Sequence, residues 1–208
     1  MREFIIKQKI VSIAKNVLEE SELSAAFDII KAYKTKTVAG IKAFLEFDKM
    51  FCVPKKDPMF SQQKGGLVDI FSMTPVEESW GYLHNALIYC RYFVTNTDLN
   101  ETSRDFIRRS CDYVENCAKY LLSSLEPNTS LRYPLGNIIN ALKRRELDIS
   151  TDLLEQVEIF NKEIYTEAKH KHDIPPGQHL YTPDEAFLIY FVAKKLGCKM
   201  RELVKLSN

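Results

Sequence analysis

The stretch that most constrains this chain is residues 186–196, AFLIYFVAKKL, which is apolar on nearly every side of a helix. A helix apolar all round cannot lie on a surface, so other elements have to enclose it. Its start is well marked. Thr182 serves as the cap, Pro183 suits the first helical position and Glu185 closes a capping box. Gly197 is expected to stop the helix in the left-handed conformation, with a short last helix beyond it carrying Met200, Leu203, Val204 and Leu206.

The elements available to enclose it also read as helices. Leu153, Val157, Phe160, Ile164 and Ala168 recur at spacings of three and four, one apolar stripe with Ser150 or Thr151 as its cap. Lys169, His170 and Lys171 fall at its negative C-terminal end, before Asp173-Ile174-Pro175-Pro176-Gly177 breaks the helix. A long helix runs from a cap at Asp98 or Asn100 to about Leu125. Phe106, Cys111 or Val114, Ala118, Leu121 and Leu122 point inward on it, and Arg104, Arg108 and Arg109 outward. Leu135 to Leu142 forms a shorter helix ending in Lys143-Arg144-Arg145.

Near the N-terminus, Phe4, Ile5, Val11, Ala14 and Leu18 give a helix ending near Glu20. A second, capped by Ser21 or Ser24, places Leu23, Phe27, Ile30 and Tyr33 inside. Another opens at Thr74-Pro75-Val76-Glu77, with His84 as a structural residue beside its stripe. Strand signals are almost absent. The fold class is therefore all-α, a bundle of about seven to eight helices. Residues 1–73 form an N-terminal helical region with a long loop at 51–73, and residues 74–208 form the main bundle, the two making one compact unit.

Charge and motifs narrow the function. Lys and Arg total 29 against 28 acidic residues, so the whole surface is not a non-specific nucleic-acid binder, and any contact with RNA needs a local patch. Five cysteines without a CxxC pair fit reduced thiols and a cytoplasmic location. The first residues carry lysines inside their apolar run and no small-residue cleavage site, unlike a secretory signal, and no membrane span is expected. Gly65-Gly66 lacks the Lys-Ser/Thr of a phosphate loop, and no nucleophile motif is present. No cofactor is expected.

The order CDYVENCAKYLL, turn, YPLGNIINALKRR, then LLEQVEIFNKEIYTEAKH resembles the HEPN superfamily of small helical bundles, over roughly Leu99 to Leu196. Active members of that family are typically dimeric, metal-independent ribonucleases with an arginine, four to six residues and a histidine on a late helix. The resemblance implies that His170 would move protons at the ribose 2′-hydroxyl or leaving oxygen, while an arginine stabilises phosphate charge. Glu163, Ile164 and Tyr165 stand where that arginine would be, Arg145 is too far back, and Lys162 lacks its fork. The resemblance thus implies the fold and a homodimer more than the reaction.

Three readings remain for His170, His172 and His179: structural residues at a helix end, a divergent ribonuclease centred on His170, or a metal site with Asp173. The expected function is a binding module for a protein partner, a second copy of itself, or RNA. Lys162, Lys169, Lys171, Arg104, Arg108, Lys143, Arg144 and Arg145 are the phosphate-binding candidates. For a nuclease, Arg104, Arg108 or Arg109 would have to supply the absent arginine from the neighbouring helix.

Overall fold

The computed structural model describes residues 6–34, 99–127, 132–144, 149–170 and 181–206. The loop at 51–73, the boundary at 73/74, the helix from Thr74 with His84, and Arg145, Lys171, His172, Asp173 and His179 lie outside the described residues. Six helices account for most of what is described, without a strand among the described residues. They are α1 (Gln8–Val17), α2 (Glu20–Lys34), α3 (Leu99–Leu125), α4 (Leu135–Lys143), α5 and α6 (Pro183–Leu206). Helix α5 runs on without a break through Thr151–Phe160, a π-helical turn Asn161–Tyr165, and Thr166–His170.

The all-round apolar stretch is the axis of the bundle. Ala186 through Ala193 are each fully buried. Helix α6 makes its most extensive contact with α3 and also packs against α1, α2 and α5. The Phe106 ring meets Phe187 edge-on at 5.5 Å and Tyr190 at 5.3 Å, the offset geometries that aromatic quadrupoles favour. The cap forms as the sequence indicates. Glu185 donates its N–H to Thr182 Oγ1 at 3.2 Å, and Thr182 donates its N–H to Glu185 Oε2 at 2.9 Å. Glu185 does more than cap, because its Oε1 accepts the Lys7 N–H at 2.8 Å and so fastens the start of α1 to the start of α6.

Gly197 does not stop the helix. Helix α6 continues through it to Leu206, so the expected last short helix is the end of α6. The glycine is there for space: a Cβ at this position would lie 2.2 Å from the buried Tyr113 ring. Other expectations shift at the edges. Ser150 occupies the cap position of α5 without a side-chain hydrogen bond. Helix α2 begins ahead of both expected serine caps, and there Glu22 accepts the Glu19 N–H at 2.9 Å. Helix α1 buries Ile10, Ile13, Ala14 and Val17, with Val11 only partly covered.

The long helix, the short α4 and the α5 stripe agree with the sequence reading, and Leu153, Val157, Phe160, Ile164 and Ala168 are all buried. Cys111, Cys117 and Cys198 are buried free thiols. No helix among the described residues is long and apolar enough to cross a membrane.

Candidate functional site

His170 is the last residue of α5, and α3 delivers the groups that surround this end of the helix. The geometry starts from the π-helical turn. A π turn holds one residue more than an α turn, which advances the following side chains around the axis by one position. The wide turn is closed by Thr166, which donates both its N–H and its hydroxyl to the Asn161 carbonyl, the hydroxyl at 2.9 Å. Tyr165 and Lys169 therefore face α3 together with Ile164 and Ala168. Tyr165 donates its hydroxyl to Glu115, and Lys169 pairs with Asp112 and lies 4.0 Å from Glu115. The Lys169 ammonium also sits 5.3 Å from the centre of the Tyr165 ring.

The two carboxylates respond oppositely. Burial pushes Asp112 above its ordinary value, and the pull of Lys169 and Arg109 only partly offsets that. Burial acts on Glu115 as well, but hydrogen bonds from Lys119 and Tyr165 outweigh it and hold the carboxyl below its usual range. Burial and the neighbouring Glu115 raise the Tyr165 hydroxyl, so it remains a proton donor. Burial also raises the Cys111 thiol, which is no nucleophile here.

Arg108 does not simply point outward as expected. Its Nε donates to the Ala168 carbonyl at 3.2 Å, two residues before His170, and its Nη1 lies 3.7 Å from Asp105. An arginine from another helix thus reaches the end of the helix that carries His170. Arg109 is 3.6 Å from Asp112. Tyr181, which precedes the α6 cap, is 1% exposed, and its hydroxyl has no hydrogen-bond partner among the described residues.

The remaining candidates are elsewhere. Lys162 is exposed on the π turn. Lys143 is taken up by Glu158 at 2.5 Å. Arg144 closes α4 and borders an open groove of about 400 Å³ between α4 and the C-terminal part of α3. Leu122, Ile138 and Ala141 supply the apolar part of this groove, and Tyr133, Asn137 and Asn140 line it with Arg144. Leu122 follows Arg108 by fourteen residues on α3, about 20 Å along the axis. The candidate cations therefore do not form one surface: Lys169 and Arg108 are at the α5 end, Arg144 borders the α4 groove, Lys143 pairs with Glu158 and Lys162 is on the π turn.

The carboxylate pair Asp112/Glu115 and the hydroxyl of Tyr165 were not singled out from sequence. Their signal was present as acids three apart on α3 and a Tyr/Lys pair four apart on α5, each pair sharing a helix face. Among the described residues no group of three or more His, Cys, Asp and Glu could hold a metal ion. No family model, curated protein or solved structure matches the chain.

Proposed function

We propose that the chain is a HEPN-like helical module that binds RNA without cutting it, through the α4 side of the bundle. One observation carries this reading. The lysine beside His170 is held by two carboxylates, so a phosphate approaching the α5 end meets Asp112 and Glu115. At the α4 groove, by contrast, an exposed arginine and tyrosine stand together without an anionic partner among the described residues. Fluorescence anisotropy with a labelled single-stranded RNA tests this, beside a gel of the same RNA after incubation in EDTA. Binding that weakens with salt, with the RNA intact, is the expected result. Absence of RNA binding at low salt sinks the proposal.

A second reading has one observation in its favour, the reach of Arg108 to the Ala168 carbonyl. A ribonuclease that lacks the helix-borne arginine needs such a cation from a neighbouring helix, with His170 as the proton-transfer group. RNA cleavage that survives EDTA and disappears in both His170→Ala and Arg108→Ala would establish it in place of the binding reading. Cleavage unchanged in both variants would come from a contaminant.

A further inference from the structure

We infer that the groove beside α4 also docks an acidic segment of a partner protein, seated against Tyr133 and Arg144, and that this segment and RNA exclude one another. The inference rests on the RNA reading above for the competition alone, since it adds a second occupant to the same face. Charge is its first support. Residues 127–145 carry Arg132, Lys143, Arg144 and Arg145 and neither Asp nor Glu, in a chain with 28 acids against 29 bases overall. Helix α4 therefore has no acid of its own to offer Arg144, and Arg132 is exposed one residue ahead of Tyr133. Lys143 is drawn instead to Glu158 on α5.

The second support is the chemistry of the rim. Tyr133 is 50% exposed, more than any other large hydrophobic side chain among the described residues. Asn137, Asn140 and Arg144 follow it on one stripe of α4, at i, i+3 and i+7. The side chains of these four residues have no hydrogen bond or ion pair among the described residues. Tyrosine and arginine are the side chains that most often anchor a protein partner, because each joins contact area to a directed polar end. An amide both donates and accepts, which matches the N–H and C=O groups of an extended backbone.

The form of the groove sets the kind of segment that fits. Leu122 and Ile138 close its floor and are themselves covered, so the Tyr133 ring and the flank of Ala141 supply its apolar surface. A volume of about 400 Å³ takes a few side chains of one segment and not a folded domain. The carbonyls at the end of α4 disfavour an anion, so a carboxylate is held there by the guanidinium and not by the backbone. Arginine meets a carboxylate with two parallel N–H groups, as it meets a phosphate, which is why an acidic segment and RNA compete for it.

A random peptide library displayed on phage and selected on the full chain tests the inference, with each selected peptide then titrated by anisotropy. Peptides rich in Asp or Glu beside a leucine or an aromatic residue should be enriched. Arg144→Glu and Tyr133→Ala should each weaken them by about tenfold or more. Lys15→Glu, on the exposed side of α1, should leave them near wild type. A selected peptide should also displace a labelled single-stranded RNA, at concentrations that track its own affinity. Failure to enrich such peptides, or enriched peptides that ignore Arg144→Glu and Tyr133→Ala, overturns the docking site and leaves the RNA reading untouched. Peptides that bind at this groove while RNA stays bound overturn the exclusion and move RNA to another face. Peptides that bind there to a chain with no affinity for RNA keep the docking site and discard both the exclusion and the RNA reading.

Discussion

A methyl group on Gly197 would come within 2.2, 2.5 and 2.7 Å of three atoms of the Tyr113 ring, closer than real Cβ contacts allow. The ring has little room to yield. Tyr113 is fully buried, its hydroxyl lies 3.9 Å from Cys198 Sγ, and burial keeps that hydroxyl protonated. Two effects then oppose each other in Gly197→Ala. Helix propensity favours alanine by about 1 kcal/mol. Overpacking a filled core costs about 1–3 kcal/mol, and more where backbone has to move. The clash should win, with a net loss of about 2 kcal/mol in urea unfolding. Combining Gly197→Ala with Tyr113→Leu should recover part of the loss, because the leucine vacates the space the methyl needs. A stabilised single variant would mean that Gly197 is an ordinary helical glycine and that α3 and α6 do not approach this closely.

At the level of elements, α3 and α5 are joined by Asp112, Glu115, Lys119, Tyr165 and Lys169, and the two acids should behave in opposite ways. Glu115 is held below its ordinary value near 4.5, so its contribution is fully present above that value and is lost as pH falls through the lowered one. Glu115→Gln should cost about 1.5 kcal/mol at pH 7 and flatten the wild-type loss of stability below pH 4.5. Asp112 is raised above 3.8, so its contribution is present below 3.8 and fades as pH rises through the raised value. Asp112→Asn should therefore gain on wild type as pH rises from 3 through that raised value, a trend separate from the constant cost of losing the ion pair with Lys169. Denaturant curves from pH 3 to pH 8 check both, and an Asp112→Asn variant that fails to gain on wild type as pH rises refutes the assignment. The α5 stripe was legible in the sequence because its apolar residues keep helical spacing. The π turn was not, since one added residue leaves Ile164 and Ala168 buried while also bringing Tyr165 and Lys169 to α3. Arg108 was legible as a polar-face residue, but which carbonyl it meets depends on how a neighbouring helix ends.

For the whole molecule, the decisive sequence feature was the uniform apolarity of residues 186–196, which required a central helix and hence an enclosing bundle. Gly197 was misread because a glycine after an apolar run signals a stop as readily as a close contact, and only the neighbour's position separates the two. The same architecture predicts how the protein unfolds. A single core cluster extends from Ile10 on α1 to Val204 on α6 and draws on all six described helices. Ile10 is fully buried, and Glu185 ties the residue ahead of α1 to the cap of α6. Ile10→Ala should lower stability by about 2–5 kcal/mol, as for other large-to-small changes in a packed core. If α1 belongs to the cooperative unit, that loss should appear equally in hydrogen exchange from the most protected amides of α3 and α6, which open only on global unfolding. Were α1 an appendage docked on an independently stable bundle, exchange would quicken in α1 alone, and α3 and α6 would keep their wild-type protection. The shared core and the Lys7–Glu185 tie argue for the first outcome, because removing a side chain from α1 opens a cavity against α6 itself.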